Sequence, residues 1–434
     1  MNTGEKATEL SEISRFASPK PLDDDTWHMW VETENARGSG AVVRKLVEWL
    51  RQSHTQSDHL KIIFTGHSGS GKSTELFRVT REISDLYKTV IAGIDDYYSL
   101  TTVDYRLLLF FCASKFVEEA AEVDAEIRED EAQALLDWFD ERTVDEVKSR
   151  GHELSVKGGA QLSIFKALFV KFSGRLYSGG ETRETVSRHI ESRLDQLIAN
   201  MRVIVQAIEE KLDGQKLLLI LEGLDKIEDR DQGRKLFFEH RRQLLDIPCN
   251  VIFTFPIALW YEPQTGPLDY PIRYLLPMIP VSSSPILRQI VFQRIDESAN
   301  LITPEALDYL IQYSGSVLRD LLYLLRESAV GAKVKGRTTI EIDDVQDSAR
   351  LLRDDYNNRL SPRSYGENPV ELNEIYGVLE PIDEWPKGMV EQNEAFKMLL
   401  QNLCILEYNN DNRWFDLHPA IREVMRIRDD EQKA

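Results

Sequence analysis

Residues 61–79 read KIIFTGHSGSGKSTELFRV, and this stretch decides the fold of the chain. An apolar run, Ile62 to Phe64, stops at Gly66, and the residues Gly71-Lys72-Ser73 then open a helical pattern. The pattern G-x-x-x-x-G-K-[ST] between a strand and a helix is typical of a phosphate-binding loop. Glycines let the backbone curve closely around an anion, and the following helix N-terminus adds partial positive charge.

The same loop supplies the side chains that a nucleotide site needs. Lys72 can reach the β- and γ-phosphates, and the hydroxyl of Ser73 can ligate Mg²⁺. We therefore expect ATP and Mg²⁺ to bind here. The predicted nucleotide-binding residues are Gly66, His67, Ser68, Gly69, Ser70, Gly71, Lys72, Ser73 and Thr74.

A second stretch, KLLLILEGLDKIED, indicates where the acids of the site lie. Leu217 to Leu221 is a short apolar run, as expected of a central strand covered on both faces. Glu222 and Asp225 follow at its carboxyl end, where a parallel sheet places its ligands. Phosphate chemistry needs carboxylates that hold Mg²⁺ and orient an attacking water. We therefore predict Glu222 as a metal ligand and both acids as catalytic residues.

Strand and helix patterns alternate through this region of the chain. TVIAGID, residues 89–95, NVIFTFP, residues 250–256, and YPIRYLLPMIPV, residues 270–281, are predicted as further strands. Such alternation indicates an α/β fold with a parallel P-loop sheet covered by helices. Thr254 lies where a polar side chain can reach the γ-phosphate or its attacking water.

A chain of 434 residues is long enough for two or three domains. Helical patterns begin at Pro285, and the tail has the order helix, helix, hairpin, helix, which suggests a winged helix. We expect a polar, frayed N-terminal lead at 1–25, a P-loop core at 26–284 with a helical insertion at about 117–213, a helical lid at 285–360 and a winged helix at 361–434.

Two features leave alternatives open. Residues 151–180 are glycine-punctuated and locally basic, with leucines and phenylalanines at helical spacing. They form either an amphipathic element that meets a partner or a membrane surface, or an ordinary packed helix with loops. Trp30 and Arg37 precede the phosphate loop, and they serve either as contacts to the nucleotide base or as core residues.

Composition narrows the class of protein. The net charge is −20, from 53 basic and 73 acidic residues, which argues against broad coating of nucleic acid. The three cysteines are scattered, so we expect buried free thiols in a reducing cytosol. No signal-peptide core and no apolar run of about 18 residues is present in the sequence. These observations predict a cytoplasmic protein without a transmembrane segment.

The order of these parts resembles the AAA+ and STAND groups of P-loop ATPases, especially bacterial members with an initiator-like helical lid and a winged helix. SGSVLRD is similar to the sensor-2 segment of the lid, which implies that Arg319 reaches the phosphates across the core–lid cleft. The alternative is a surface arginine paired with Asp320 or Glu327. Thr254 matches the sensor-1 position, and Arg273 lies near the place where some relatives carry an arginine finger that acts in a neighbouring subunit.

The acids depart from the pattern of these groups. Glu222 stands where relatives typically have aspartate, Gly223 follows it, and Lys226 replaces a further acid of many STAND members. One extra methylene adds about 1.5 Å of reach and disturbs positioning. We therefore expect slow hydrolysis, with catalytic roles for Glu222, Asp225, Thr254 and Arg319.

The resemblance implies a regulatory ATPase. ATP–Mg²⁺ binding and slow hydrolysis would rearrange the lid and winged helix and control a partner protein or an oligomer, in bacterial defence or signalling. The alternative is a DNA-associated initiator-type ATPase that binds DNA through its winged helix. A third possibility is a nucleotide-binding scaffold without useful turnover.

The charge of the tail bears on these alternatives. Residues 361–434 contain 8 basic and 15 acidic side chains, a net charge of −7. The predicted recognition helix, EQNEAFKMLLQNL, has one lysine and two glutamates, whereas DNA binding needs several cations. We expect a protein partner or a self-oligomer in preference to nucleic acid.

Overall fold

A five-stranded parallel sheet forms the centre of the protein, as the sequence predicted. The computed structural model describes residues 6–38, 40–139, 143, 161–177, 180–263, 270–361, 363–365, 368–384, 391–410 and 412–433. The strands of the sheet are β1 (Lys61–Gly66), β2 (Tyr87–Gly93), β3 (Lys216–Glu222), β4 (Asn250–Phe255) and β5 (Ile272–Leu276). Their order is β2-β3-β4-β1-β5, and all neighbours are parallel. Because β1 lies between β4 and β5, the loop that follows β1 lies at the carboxyl ends of the strands, between the ends of β4 and β5.

Helices cover the sheet and form most of the remaining described structure. None of the described helices is long and apolar enough to cross a membrane. In chain order the helices are α1 (Ile13–Phe16), α2 (Val42–His54), α3 (Lys72–Glu82), α4 (Tyr105–Glu122), α5 (Glu129–Trp138), α6 (Gln161–Tyr177), α7 (Gly180–Ser192), α8 (Leu194–Lys211), α9 (Arg230–Arg234), α10 (Arg241–Leu245), α11 (Ile257–Trp260), α12 (Ser284–Phe292), α13 (Pro304–Tyr313), α14 (Leu318–Val334), α15 (Ile342–Asn358), α16 (Leu372–Glu384), α17 (Glu394–Gln401) and α18 (Pro419–Lys433).

Both faces of the sheet are buried because successive strand residues point to opposite sides. Ile62 and Phe64 face the side that α2 and α3 cover. Ile63 and Phe253 face the other side, which the helices after β2 cover. The three cysteines are buried free thiols, as predicted. The apolar runs in the sequence therefore reflect strands with two covered faces.

The segment between β2 and β3 contains α4 to α8, where the sequence placed a helical insertion. Within it, α6 carries the described part of the basic stretch 151–180. Phe169 and Phe172 of α6 are buried, and both rings contact Phe110 of α4. This part of the stretch is a packed helix, which is the second of its two interpretations. Residues 144–160 lie outside the described residues.

The N-terminal lead differs from the polar, frayed segment that we expected. Ala7, Ile13 and Ala17 are fully buried in a cluster with lid helices, and the Ala7 N–H donates to the carbonyl oxygen of Arg294 at 2.9 Å. The expectation is wrong for residues 6–17. Small and apolar side chains recur every three residues here, so one face is buried although the segment is polar on average.

Lid and tail follow the core in the predicted order of elements. The lid region contains α12 to α15, and Thr303 caps α13 by accepting from the Ala306 N–H. In the tail, α16 and α17 are followed by an antiparallel hairpin and then by α18. One apolar cluster continues through lead, lid and tail. The tail strands are β6 (Arg363–Tyr365), β7 (Asn368–Val370), β8 (Ile405–Asn410) and β9 (Asn412–Leu417). The domain boundaries stay predictions.

Candidate nucleotide-binding site

The predicted phosphate-binding loop joins the carboxyl end of β1 to the N-terminus of α3. Gly71 caps α3 with φ of 97°. Gly69 has φ of 76°, and a Cβ at this position would lie 2.9 Å from the Cβ of Arg319. Glycine at 69 therefore allows both the loop conformation and the close approach of the lid. The strand–loop–helix arrangement predicted from the sequence is confirmed.

A cavity of about 540 Å³ opens beside this loop, between the core, the N-terminal lead and the lid. Its volume is within the usual range for small-molecule sites. Gly66, His67 and Ser70 lie behind the loop surface, and the side chains of His67 and Ser70 are buried. The predicted loop residues that line the cavity are Ser68, Gly69, Gly71, Lys72, Ser73 and Thr74.

The loop lysine contacts the second predicted acid. Lys72 Nζ lies 2.8 Å from Asp225 Oδ2, and it donates to the carbonyl oxygens of Gly66 and His67 at 2.9 and 3.0 Å. The Lys72 side chain is 6% exposed, so this ion pair is poorly screened by solvent. The structure therefore brings together two charged residues that the sequence assigned to one site.

Ser73 and Glu222, the two predicted Mg²⁺ ligands, both line the cavity. Burial raises the pKa of the Glu222 carboxyl, and the Ser73 hydroxyl opposes this shift in part. Two hard oxygen donors beside a phosphate loop fit Mg²⁺, which takes few protein ligands and completes its shell with phosphate oxygens and water. No cluster of three or more His, Cys, Asp and Glu residues suited to a metal exists within the described part of the chain. These positions support Ser73 and Glu222 as metal ligands, which remains a prediction.

Thr254 stands at the end of β4 beside the second acid. Its Oγ1 donates to the carbonyl oxygen of Leu221 at 3.1 Å and accepts from the Asp225 N–H at 3.4 Å. Thr254 also lines the cavity. The hydroxyl thus helps to hold the backbone that carries Asp225, and a contact with the γ-phosphate stays a prediction.

Arg319 lies against the phosphate loop, in the first turn of α14. Its Nη1 donates to Ser68 Oγ at 3.1 Å, and its backbone N–H donates to the carbonyl oxygen of Gly69 at 3.3 Å. The side chain also lies 3.8 Å from Asp320, so the alternative partner named from the sequence is present as well. Arg319 reaches the site across the core–lid cleft, and its catalytic role stays a prediction.

Arg273 does not share this site. It lies on the edge strand β5, and its guanidinium is 5.2 Å from the centre of the Trp260 ring. It is absent from the residues that line the cavity in the described structure. A contact with a neighbouring subunit stays a prediction.

An acidic pair at the end of β2 was not predicted as part of the site. Asp95 and Asp96 line the cavity, and Asp95 forms an ion pair with Lys226. Gly223 has φ of 88°, and a Cβ there would lie 2.1 Å from Asp95 Oδ1. Gly223 leaves room for the Asp95 carboxylate, and Lys226, which stands where many STAND members have another acid, supplies its counter-charge. Their proximity was the available clue, because Asp95 ends a predicted strand beside β3.

Arg37 braces the phosphate loop from the core side. Its Nη2 donates to the carbonyl oxygen of Ser70 at 2.7 Å, and its Nη1 donates to that of Pro277 at 2.6 Å. Burial lowers the pKa of Arg37. Of the two interpretations of Arg37, the structure supports a core residue that shapes the loop. Trp30 lines the cavity, with the Arg78 guanidinium 5.3 Å from its ring centre.

The tail contacts the back of the phosphate loop. His67 Nε2 accepts from the Glu407 backbone N–H of β8 at 2.8 Å. Gln401 at the end of α17 donates to the carbonyl oxygen of Asp225 at 2.9 Å. Burial lowers the pKa of His67 to about 3, so the ring is neutral and Nδ1 carries its proton. Neither tail contact was predicted, because each joins residues far apart in sequence.

Comparisons with known proteins gave matches among solved structures only. No protein-family model matches the chain, and no curated protein sequence matches it. The Walker-type ATPase PABY2304 of Pyrococcus abyssi is 12% identical with a TM-score of 0.47, and the match covers 95% of this chain and 99% of that one.

Two further structures come from Aeropyrum pernix. Its ORC2 protein in the ADP form is 12% identical with a TM-score of 0.44, covering 96% of this chain and 97% of that one. Its ORC1 protein in complex with DNA is 14% identical with a TM-score of 0.39, covering 92% and 95%. Structural similarity at this level of identity and TM-score does not assign the chain to a family. Our expectation of a partner other than nucleic acid gains no support from them.

Proposed function

We propose that this protein is a regulatory ATPase of the AAA+/STAND type, in which ATP–Mg²⁺ binding and slow hydrolysis control the docking of the lid and the tail. The loop after β1 binds the phosphates through its N–H groups and Lys72. Ser73 and Glu222 would hold Mg²⁺, which would supply positive charge against the phosphate oxygens. Asp225 orients the attacking water, and Arg319 stabilises the charge that develops on the phosphate.

One observation carries this proposal: the phosphate loop is hydrogen-bonded to both of the segments that follow the core. Arg319 of the lid contacts Ser68 and Gly69 on the cavity side of the loop. Glu407 of the tail contacts His67 on the opposite side. A nucleotide that shifts the loop must therefore change at least one of these contacts. A binding energy that differs between two arrangements is what a conformational switch requires.

The direction of the switch follows from Lys72 and Asp225. Phosphates compete with Asp225 for the Lys72 ammonium, because both are anions within reach of one cation. A change at Asp225 is transmitted to Gln401, which binds the carbonyl oxygen of that residue. We therefore expect ATP to loosen the contact between α17 and the core. The partner is then a protein or another copy of this chain that binds the released tail.

A DNA-associated initiator-type ATPase is the alternative. The predicted recognition helix, α17, is buried from Ala395 to Leu400, and its Lys397 pairs with Glu262 of the core at 2.8 Å. DNA binding through α17 requires its release, and the tail is acidic. Retention of DNA at physiological ionic strength, in the presence of ATP, would favour this alternative over ours.

Hydrogen exchange with and without nucleotide tests the switch. We expect ATP, and a non-hydrolysable analogue, to accelerate exchange in α17 and β8 and to leave α4–α8 unchanged. ADP should accelerate exchange less than ATP does. The molecular size of the protein in solution is measured in parallel with each nucleotide. Lys72→Ala should abolish nucleotide binding and the response, because the phosphate cation is lost. Lys45→Ala on the exposed side of α2 is the matched control. Unchanged exchange in α17 and β8 with bound ATP would refute the coupling.

Turnover tests the catalytic assignment separately. Asp225→Asn should lower ATP hydrolysis by about 100-fold or more, since a carboxylate that positions or activates water contributes at this level. ATP should still bind, because the loop and Lys72 are intact. Equal turnover in Asp225→Asn and wild type would show that Asp225 is not catalytic.

A further inference from the structure

The cavity has two chemically different ends. One end carries the phosphate loop, Lys72 and the acids that follow β2 and β3. The other end lies between the N-terminal lead and the lid, and its lining is mainly apolar. That lining includes Pro21, Leu22, Met29, Ile290 and Leu322. If the phosphates occupy the loop, the base of the nucleotide extends toward the apolar end.

Arg294 is a buried cation at this apolar end, whereas Lys20 of the N-terminal lead also lines the cavity but is exposed. Arg294 lies two residues after α12, lines the cavity and is 6% exposed. Its Nη1 donates to the carbonyl oxygen of Ile290 at 2.8 Å, whereas its Nε has no hydrogen-bond partner. No carboxylate lies within ion-pair distance of this guanidinium among the residues that the structure describes. The backbone is fixed, because the carbonyl oxygen of Arg294 accepts from the Ala7 N–H.

An arginine in this position is costly for folding. Burying a charge without a counter-charge loses its hydration, and buried charges in proteins are normally paired. Burial lowers the pKa of Arg294 to about 10, so the side chain is still charged at neutral pH. A methionine would fill similar space beside Ile290 and Leu322 without this cost. Groups that are unfavourable for stability are commonly kept for ligand binding.

We propose that Arg294 binds the base of the nucleotide and determines base specificity, an inference that rests on the function proposed above. A guanidinium has only N–H donors, so its partner on the base is a ring nitrogen or a carbonyl oxygen. The phosphates have their own cations in Lys72 and Arg319 at the opposite end. Arg294 is therefore a base-reading residue contributed by the lid region, which also links base recognition to closure of the lid.

Substitution of Arg294 by methionine, measured with two probes, tests this role. Arg294→Met should weaken ATP binding by about tenfold to a hundredfold, the effect of losing one charged hydrogen bond. Binding of inorganic tripolyphosphate, which has no base, should be unchanged. The melting temperature without ligand should stay the same or rise, because an unpaired buried charge is removed. Arg288→Met in α12, the helix that precedes Arg294, is the control, because Arg288 pairs with Asp308 near the surface.

The opposite outcomes are distinct. Equal losses for ATP and tripolyphosphate would assign Arg294 to the phosphates, and a lower melting temperature with unchanged ATP affinity would show a purely structural role. Either result overturns the inference and leaves the proposed function standing. Failure of the wild-type protein to bind both probes would overturn the proposed function together with it. If Arg294→Met does not fold, Arg294→Lys replaces it, and the same comparison of ATP affinity with tripolyphosphate affinity is made.

Discussion

The helical segment α4–α8 and the C-terminal segment α16–α18 both pack against the P-loop core, but different side chains hold them. In the helical segment, rings from separate helices meet in one cluster. The ring of Phe172 lies 5.0 Å from Phe110 and 5.4 Å from Trp138, measured between centroids. This cluster is continuous with Ile63 and Phe253 on the face of the sheet. The attachment is mainly apolar.

The C-terminal segment adds buried polar contacts to its apolar ones. Phe396 packs edge-on against Tyr261 at 5.4 Å between centroids. Lys397 Nζ lies 2.8 Å from Glu262, with both side chains under 10% exposed. The hydrogen bonds of His67 and Asp225 to the tail lie closest to the nucleotide site.

The difference indicates which segment can move. Apolar surface gains nothing from water, so separating the helical segment from the core loses its full burial energy. Polar groups regain hydrogen bonds to water on separation, and each protein–protein hydrogen bond is worth only about 0.5–1.5 kcal/mol net. Polar contacts are also directional, so a small shift of the loop breaks them. The C-terminal segment is therefore suited to respond to nucleotide, and the helical segment to remain attached.

Removal of one aromatic ring should have the largest effect on stability. Phe172→Ala deletes a fully buried side chain from the aromatic cluster, and it should lower the free energy of unfolding by about 3–5 kcal/mol. Denaturation in urea measures this loss. Hydrogen exchange in α17 should be unaffected under native conditions. Faster exchange in α17 would contradict the separation of the two attachments. Val170→Ala, on the exposed side of α6, is the control.

Loss of the buried carboxylate at the C-terminal interface should have a smaller, local effect. Glu262→Ala removes the nearer of the two carboxylates that Lys397 and Arg234 share, the other being Glu394, at a cost of about 2–3 kcal/mol. We expect the tail to detach before the core unfolds, so exchange should accelerate in α17 and not in α4. Asp308→Asn breaks an exposed pair and should change stability by less than about 1 kcal/mol. Equal acceleration of hydrogen exchange in α17 and α4 would show that the tail and the core unfold together.

The smallest effect concerns His67 and pH. The pKa of His67 is about 3 in the folded state and 6.5 in the unfolded state. Between these two pH values the imidazole is therefore protonated in the unfolded state and neutral in the folded state. Stability is therefore lost as pH falls below 6.5, by about 2 kcal/mol at pH 5. His67→Gln keeps an acceptor for the Glu407 N–H and removes the titration. Urea denaturation at pH 7.5 and pH 5 should show this extra loss in the wild type and in the control His28→Gln, and not in His67→Gln. Equal losses in the wild type and His67→Gln would place the titration elsewhere.

Local sequence patterns were sufficient to predict the phosphate loop, the five strands and the two acids. Residues 66–74 are contiguous, so their conformation and chemistry follow from local pattern. Glu222 and Asp225 were found because they follow an apolar run that only a covered central strand requires. The N-terminal lead was wrongly predicted, since short helical spacing in residues 6–17 is hidden by the polar residues between.

The contacts of the remaining segments with the site depend on tertiary packing and could not be predicted from local sequence. His67 and Glu407 are separated by 340 residues, and no local pattern specifies their hydrogen bond. Arg294 looks like any helical arginine in the sequence, and its missing counter-charge is visible only once every neighbour is placed. Local motifs encode which atoms can bind phosphate. Long-range packing decides which segments touch that loop, because the energies of such contacts depend on burial and geometry.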